Sequence, residues 1–328
     1  MRRLLTEYID STERAAKIIR DGGLVAFPTE TVFGIGVDAT NGDAVAKLFE
    51  AKGRPSDNPL IVHLDDPAHW ARAASDLPGV AEALLDAFCP GPLTVVLPKR
   101  PTISEQVTAG LTTVGIRIPD HPIAREILQL AAVPVAAPSA NRSGRPSGTT
   151  WQSVSEDLDG RIDAIFKANS TTIGIESTVV DCSGSQPVLL RPGAITLEQL
   201  QKHAPQTKQL GTQDKRRMIV SGEQVNSPGI LHPHYQPNAK VIMVDGLPPE
   251  ISNDVLAVSA FCGIEGFDES HDFALCKIFE SLESYAAGFY EFLREVDRQS
   301  VQRVFVQAAP DEGIGRALRD RQRRAAGG

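Results

Sequence analysis

The chain has 328 residues, enough for one large domain or two ordinary ones. Its 41% hydrophobic and 23% charged residues are normal for a globular protein, and its net charge of −8 argues against a protein that coats nucleic acid through bulk charge. The four cysteines form no C-x-x-C pair, so neither a zinc knuckle nor a redox motif is supported. With no signal-like start and no apolar run as long as a membrane span, we expect a cytoplasmic protein without a membrane partner.

The first 203 residues alternate between helical and strand-like patterns, and we assign them to one domain, 1–203. Capped apolar rhythms predict helices in "STERAAKIIRDGG", "NGDAVAKLFEAKG", "PGVAEALLDAFCPG", "HPIAREILQLAA" and "TLEQLQKHA". Apolar runs predict strands in "LVAFPTET", "PLIVHL", "PLTVVLP", "TTVGIRIP", "VPVAAPSA", "IESTVVDC" and "PVLLRPGAI". Because two strands often follow each other directly, we expect an α/β fold with a twisted mixed sheet and flanking helices.

Two further regions follow along the chain. Residues 204–237 are polar, rich in Pro and Gly, and predicted to be a linker. The linker ends in "SPGILHPHYQP", whose prolines and Tyr235 suggest an ordered and functional loop. Residues 238–328 contain "KVIMVDG", a long helical stretch, "VQRVFVQ" and a basic helix, which predict a small Rossmann-like parallel α/β domain.

The common catalytic and phosphate-binding motifs are absent from the sequence or match it weakly. The chain has no Walker loop and no G-x-S-x-G elbow. "GIGVDA", which begins at Gly34, fits G-x-G-x-x-A, but no helix pattern starts after it, so we interpret its glycines as a tight turn. His232 and His234 could bind a metal, but no third ligand lies nearby, and we interpret them as ordinary loop residues.

Four cations lie at the ends of predicted strands or helices, where α/β sheets hold ligands. They are Lys52, Arg54, Arg117 and Arg191. Together with nearby Ser, Thr and Asn side chains they suit a ligand with several phosphate or carboxylate oxygens. Arg117, inside the apolar "VGIRIP", is explained equally well by an internal salt bridge.

These segments together resemble the threonylcarbamoyl-AMP synthase family, whose core is a YrdC-like domain. The blocks that carry the resemblance are "PTETVFGIG", "KGRPSDNPLIVH", "GPLTVVL", "VGIRIPDHP", "APSANRSGRPSGT", "GIESTVVD" and "LLRPGAI", in that order. "SPGILHPHYQP" and "GIGRALRDRQRRAA" are similar to the linker and last helix of the longer, two-domain branch. The resemblance implies that L-threonine, bicarbonate or CO2, and ATP with Mg²⁺ give threonylcarbamoyl-AMP and pyrophosphate. A downstream threonylcarbamoyl-transferase system would use the product to modify the adenosine next to the anticodon of tRNA.

The resemblance also implies roles for individual residues. Lys52 and Arg54 would be the catalytic pair on the ATP phosphates, and no protein side chain is assigned to a metal. The remaining ATP-binding residues would be Asn58, Thr113, Ser139, Asn141, Ser147, Arg191 and Tyr235. The linker, 204–237, would close over the active site and place Tyr235 over ATP. The threonine-binding residues would be Thr31, His63, Arg117, Ala137 through its backbone, and Ser177.

The sequence leaves two alternative functions and the role of His63 open. An RNA-binding module is possible for a concave YrdC-like surface, although the pI of about 5.4 weighs against it. A carbamoyltransferase would use the same adenylate chemistry on another acceptor, but no kinase-like carbamoyl-transfer domain is visible. His63 is a candidate general base, and packing on its apolar strand explains it at least as well.

Overall fold

The structure is a computed structural model, and it describes residues 5–211, 234–246, 252–264 and 272–327. Residues 212–233 of the predicted linker, His232 among them, lie outside this part of the chain. The helices are α1 (Thr12–Arg20), α2 (Gly42–Lys52), a 3-10 helix (Pro67–Arg72), α3 (Gly79–Phe88), α4 (Glu105–Thr108), α5 (Pro122–Ala131), α6 (Trp151–Leu158), α7 (Leu197–His203), α8 (Asn253–Leu256), α9 (Leu282–Arg298) and α10 (Gly313–Ala325).

The strands fall into two sheets, one in each half of the chain. In the first half they are β1 (Glu7–Ile9), β2 (Val25–Phe27), β3 (Gly34–Asp38), β4 (Ile61–His63), β5 (Leu93–Pro98), β6 (Thr113–Arg117), β7 (Val135–Ala136), β8 (Ala164–Phe166), β9 (Thr178–Asp181), β10 (Val188–Arg191) and β11 (Lys208–Gln209). In the second half they are β12 (Lys240–Val244), β13 (Ser259–Gly263), β14 (Leu275–Ile278) and β15 (Arg303–Gln307).

The strands described in the first half form one mixed sheet with the order β1-β8-β2-β3-β7-β4-β6-β5-β9-β10-β11. Neighbours such as β4 and β6 are parallel, whereas β5 and β6 are antiparallel. The second sheet has the order β12-β15-β13-β14, and its pairings are all parallel. The predicted fold class, a mixed sheet with flanking helices followed by a small parallel α/β domain, is therefore confirmed.

Local sequence signals place the helices that lead into the site. Asn41 caps α2 by accepting a hydrogen bond from the backbone N–H of Ala44, and Gly53 ends the helix in the left-handed region at φ 60°. Ser281 caps α9 through a capping box with Ser284. All of these signals are local in sequence. Those at the two ends of α2 fix where Lys52 leaves its helix.

The interpretation of "GIGVDA" as a tight turn is wrong. Gly34–Asp38 is a strand, paired antiparallel to β2 and β7. A Cβ atom on Gly36 would lie 2.5 Å from the Phe27 ring and 2.9 Å from Val135. The glycine therefore permits close packing in the sheet and does not serve a turn.

The two halves share a buried boundary. Val32 and Ile175, from the first half, belong to the same apolar cluster as Tyr285 and Phe289 of α9. Across the residues described here, no helix combines the length and the apolar character needed to cross a membrane. The boundaries 1–203, 204–237 and 238–328 remain predictions.

Candidate active site

A small cavity of about 60 Å³ lies where strand ends of the first sheet meet the end of the predicted linker. Its wall combines residues of the first half of the chain with His234 and Tyr235 of that linker. The lining residues are Thr29, Val32, Gly34, Arg54, Pro59, Leu60, Ile61, His63, Arg117, Ala137, Pro138, Ser139, Glu176, Ser177, Arg191, His234 and Tyr235. Three of the four cations singled out from the sequence, Arg54, Arg117 and Arg191, thus meet at one cavity.

Two of these arginines are held by backbone carbonyls. Arg54 donates from Nε to the Asn58 carbonyl at 3.2 Å and from Nη2 to the Pro59 carbonyl at 3.0 Å. Arg191 donates from Nε to the Ser177 carbonyl at 3.1 Å and from Nη2 to its hydroxyl at 3.2 Å. Burial lowers the pKa of Arg54 to about 10, which still leaves it charged at neutral pH. Fixed cations with neutral partners keep their charge available to an anion in the cavity.

Arg117 combines both explanations that the sequence left open. Its Nη2 lies 2.9 Å from Glu30 Oε1 in a buried ion pair, and the same nitrogen lies 3.5 Å from the Thr29 hydroxyl. Among the described residues, its buried Nε has no hydrogen-bond partner. One edge of the guanidinium therefore serves an internal salt bridge, and a second donor remains for a ligand.

His63 is buried and neutral. Its Nδ1 lies 3.2 Å from the Ile61 carbonyl, so the Nδ1–H tautomer donates there and Nε2 is left as an acceptor. Burial, with a further contribution from the Arg117 charge, lowers the pKa of His63 to about 3. So weak a base is poorly matched to taking a proton at neutral pH, which favours the packing interpretation.

Lys52 lies behind the cavity wall. Its ammonium donates to the carbonyls of Ser139 and Asn141, and burial lowers its pKa well below the usual range. The Ser139 hydroxyl donates to Asn141 Oδ1 at 2.6 Å, and Asn141 Nδ2 donates to the Arg145 carbonyl at 2.9 Å. Lys52 thus braces the loop that carries two other predicted ATP-binding residues.

The other predicted residues divide by position. Ala137 and Ser177 line the cavity itself. Thr31 is fully buried beside the Thr29 hydroxyl at 2.9 Å, and Asn58 is buried under Arg54. Thr113 lines a separate, smaller cavity on the far side of Leu60 and Ile61. Thr31, Asn58 and Thr113 are therefore not part of the cavity lining, and neither are Lys52, Asn141 and Ser147.

Glu176 lines the cavity and was not singled out from the sequence, although it lies inside the "IEST" block. It accepts from the Ser147 hydroxyl at 2.6 Å, from the Tyr290 hydroxyl at 3.0 Å and from Arg321 Nε at 2.9 Å. Burial opposes its ionised form, but Arg321 and Arg191 outweigh burial and lower the pKa of Glu176 to about 2. The available signal was an acidic residue directly before Ser177 and Thr178.

Two linker residues close one side of the cavity. Tyr235 has φ 65° and stacks at 5.0 Å from the Tyr290 ring, while Gln236 N–H donates to the Gly144 carbonyl at 2.8 Å. His234 was considered from the sequence only as half of a metal pair. Burial, together with the charge of Arg54, lowers its pKa to about 3, and it lines the cavity as a neutral side chain.

Two family models match the chain. One, described as "Telomere recombination" and named for Sua5, YciO and YrdC, matches residues 17–193. The other, described as "Threonylcarbamoyl-AMP synthase, C-terminal domain", matches residues 195–327. Together the two matches cover both halves of the chain.

Individual relatives agree with the family models. The chain is 42% identical to a threonylcarbamoyl-AMP synthase of Bacillus subtilis, covering 96% of this chain and 92% of the relative. It is 39% identical to one of Pyrococcus abyssi, covering 95% and 93%. Among solved structures, P. abyssi Sua5 complexed with L-threonine superposes with a TM-score of 0.87 at 36% identity, covering 99% of this chain and 97% of that one.

Proposed function

Since this chain belongs to the threonylcarbamoyl-AMP synthase family, we propose that its cavity is where L-threonine, bicarbonate or CO2, and ATP are joined. The observation that carries the proposal is the meeting of Arg54, Arg117 and Arg191 at one cavity. Threonine brings a carboxylate and ATP a triphosphate, so the site must hold two anions side by side. Convergent arginines with hydroxyl donors suit that task.

The threonine end of the cavity is assigned to Arg117 and its neighbours. Arg117 Nε, buried and without a hydrogen-bond partner among the described residues, is the donor we assign to the threonine carboxylate. His63, Ala137 and Ser177 line the same cavity and complete this end, with Thr31 packed behind Thr29. The L-threonine complex of the P. abyssi relative supports this assignment.

The nucleotide end is assigned to Arg54, Arg191, Ser139 and Tyr235, which line the cavity. Lys52, Asn58, Asn141 and Ser147 are assigned to this end from the layer behind it, and Thr113 remains the least supported member. A cavity of about 60 Å³ is too small for a nucleotide. ATP entry therefore requires the segment that carries His234 and Tyr235 to move.

The chemistry asks little covalent work of these residues. The neutral amine of threonine adds to CO2 and loses a proton, or displaces water from bicarbonate, and either route gives the carbamate. A carbamate oxygen then attacks the α-phosphorus, and the bond to pyrophosphate breaks as pyrophosphate leaves. Arg54 and Arg191 would neutralise charge that builds on the phosphates, and Arg117 would hold threonine in line. His63 is too weak a base for the amine proton, so we assign that proton to solvent or bicarbonate.

Magnesium is expected to arrive on the ATP phosphates, whose oxygens are ligands that it favours. The described residues contain no group of three or more His, Cys, Asp or Glu that could hold a metal ion. Glu176, the carboxylate on the cavity wall, is already paired with Arg321. The residues present thus do not fit a protein-held magnesium. We further infer that a tRNA-modifying transfer system consumes the threonylcarbamoyl-AMP that this family makes.

The test is pyrophosphate release from ATP by the full chain, with and without threonine and bicarbonate. We expect release only when all three are present. Arg117→Lys should raise the KM for threonine roughly ten- to a hundredfold and leave the KM for ATP within about twofold, because lysine lacks the planar fork. Arg125→Lys, at a half-buried arginine outside the cavity, is the matched control.

Two outcomes would contradict the proposal. ATP binding without pyrophosphate release under any substrate combination would favour another acceptor or a binding role. Salt-sensitive binding to duplex RNA, again without turnover, would favour the RNA-binding alternative. Equal damage to both KM values in Arg117→Lys would assign Arg117 to the fold through its pair with Glu30.

A further inference from the structure

The last helix of the chain reaches the wall of the cavity through one arginine. Arg321, in α10, is completely buried. Its Nε lies 2.9 Å from Glu176 Oε2 and its Nη2 lies 3.4 Å from the Glu176 carbonyl, while Nη1 lies 2.8 Å from Asp320. Glu176 is 145 residues away in sequence and belongs to the first half of the chain. A charge from the C-terminal half is therefore placed directly behind the site.

The same arginine also contacts the linker. Its guanidinium carbon lies 5.9 Å from the centroid of the Tyr235 ring, within the range of a cation–π contact. The Tyr235 ring lies 5.0 Å from that of Tyr290, and the Tyr290 hydroxyl donates to Glu176 Oε2 at 3.0 Å. Arg321 and Tyr290 thus both bind the Glu176 carboxylate, and Tyr235 packs against the two of them.

Glu176 connects this group to Ser147, a residue assigned to the nucleotide end of the site. Its other oxygen, Oε1, accepts from the Ser147 hydroxyl at 2.6 Å, and Ser147 is fully buried. A carboxylate with both oxygens occupied has one stable orientation. If Arg321 is removed, Glu176 keeps a buried negative charge without its closest cation, and it must rotate, protonate or recruit water. Each of these changes disturbs Ser147 and Tyr235 together.

We propose that Arg321 is a positioning residue through which the C-terminal domain sets ATP affinity, by fixing Glu176 and so the places of Ser147 and Tyr235. This inference rests on the proposed function only for the identity of the nucleotide. It gives the C-terminal domain a role in the site, because this arginine pairs with Glu176, which lines the cavity. Arg321 touches no reacting atom in this account.

The experiment compares three variants of the full chain. Arg321→Met removes the charge and the hydrogen bonds at similar volume, and Arg321→Lys restores the charge without the fork. Arg316→Met is the matched control, because Arg316 lies on the same helix and pairs with Glu198 of the first half at 3.1 Å, away from the cavity. ATP affinity is measured by calorimetry, and the KM values for ATP and threonine are measured separately.

We expect Arg321→Met to weaken ATP binding at least tenfold and to raise the KM for ATP without moving the KM for threonine. Arg321→Lys should recover part of the loss, and Arg316→Met should match the unsubstituted protein. If Arg321→Met does not fold, Tyr290→Phe deletes one hydroxyl from the same carboxylate and should weaken ATP binding several-fold.

Unchanged ATP affinity in a folded Arg321→Met protein would overturn the inference. So would equal losses for ATP and threonine, or losses that Arg316→Met reproduces, because either would assign Arg321 to domain docking alone. The proposed function fails separately, since a protein that binds ATP but releases no pyrophosphate would contradict that function and still report the effect of Arg321 on ATP affinity.

Discussion

At the scale of single residues, Arg117 shows why an arginine in an apolar strand can be interpreted either as part of an internal salt bridge or as a ligand-binding residue. The sequence contains both the arginine and Glu30, but nothing in their spacing says that they meet. The structure pairs them at 2.9 Å and still leaves Nε without a partner among the described residues. A planar group with five donors can serve the fold and a ligand at the same time. The salt bridge with Glu30 therefore leaves the binding role of Arg117 a prediction that remains compatible with the structure.

His63 makes a prediction about acid stability. Its pKa is about 3 in the folded protein and near 6.5 when exposed, so below pH 6.5 the unfolded chain binds a proton that the folded protein does not. The stability contributed by a neutral His63 is complete above pH 6.5 and is lost as the pH falls towards 3. Between pH 6.5 and 4.5 this loss amounts to about 2–3 kcal/mol.

The measurement is the free energy of unfolding in urea at pH 6.5 and at pH 4.5. His63→Asn keeps a donor for the Ile61 carbonyl but cannot titrate, so its loss between the two pH values should be smaller than that of the unsubstituted protein by about 2–3 kcal/mol. Parallel losses in the two proteins would show that His63 is not kept neutral by burial. The variant's activity does not enter this comparison.

At the scale of elements, the end of α2 divides two neighbouring cations between different tasks. Lys52, the last residue of α2, lies beneath the Ser139–Asn141 loop, and Gly53 turns the chain at φ 60° so that Arg54 reaches the cavity. The resemblance implied a shared role for Lys52 and Arg54 on the ATP phosphates. The two side chains occupy different layers, and substitution should separate their effects.

Lys52→Met should lower the free energy of unfolding by about 1–3 kcal/mol and also weaken ATP binding, because the carbonyls of Ser139 and Asn141 lose their buried donor. Arg54→Met should weaken ATP binding with a smaller stability loss, since its side chain is only half-buried. Urea unfolding and calorimetric ATP binding check both. Lys47→Met, at an exposed lysine of the same helix, controls for the loss of charge. Full stability in Lys52→Met would contradict the bracing role.

Sequence patterns predicted most of the longer elements, but not all of them. The helices α1, α2, α3, α5 and α7 and the strands of "PLTVVLP" and "TTVGIRIP" were predicted, because several residues carry each signal. The helix α6 was not predicted, although Thr150 caps it. The three-residue strands β1 and β8 were not predicted either, because they lie in short apolar runs, whereas β2 and β4 lie in the longer runs of "LVAFPTET" and "PLIVHL". β3 was mistaken for a turn because Gly36 packs against Phe27 across the sheet, a contact that no local pattern shows.

At the scale of the whole molecule, the residues that line the candidate site come from the first half of the chain and the linker, and the second half supports them from behind. The motifs placed Arg54, Arg117, Ser139 and Ser177 near one another, and these residues do line one cavity. Glu176 was passed over because its partners, Tyr290 and Arg321, lie 114 and 145 residues away. No pattern in one sequence links an acid to cations at such distances. The contacts that Glu176 makes with the second half of the chain could therefore not be predicted from the sequence.

One glycine lies at the contact between the two halves, and it gives the last prediction. Gly174 has φ +75°, and a Cβ there would lie 2.4 Å from the backbone of Ala287 in α9. Gly174→Ala should therefore push α9 away from the loop that carries Glu176, weaken pyrophosphate release and lower stability. Gly110→Ala is the matched control, because its φ of +79° imposes the same strain while its Cβ would meet nothing within 4 Å. The difference between the two variants isolates the collision, and we expect at least about 2 kcal/mol. Thermal unfolding and limited proteolysis of the two proteins measure it, and equal stability with equal turnover would show that the two halves dock without this close approach.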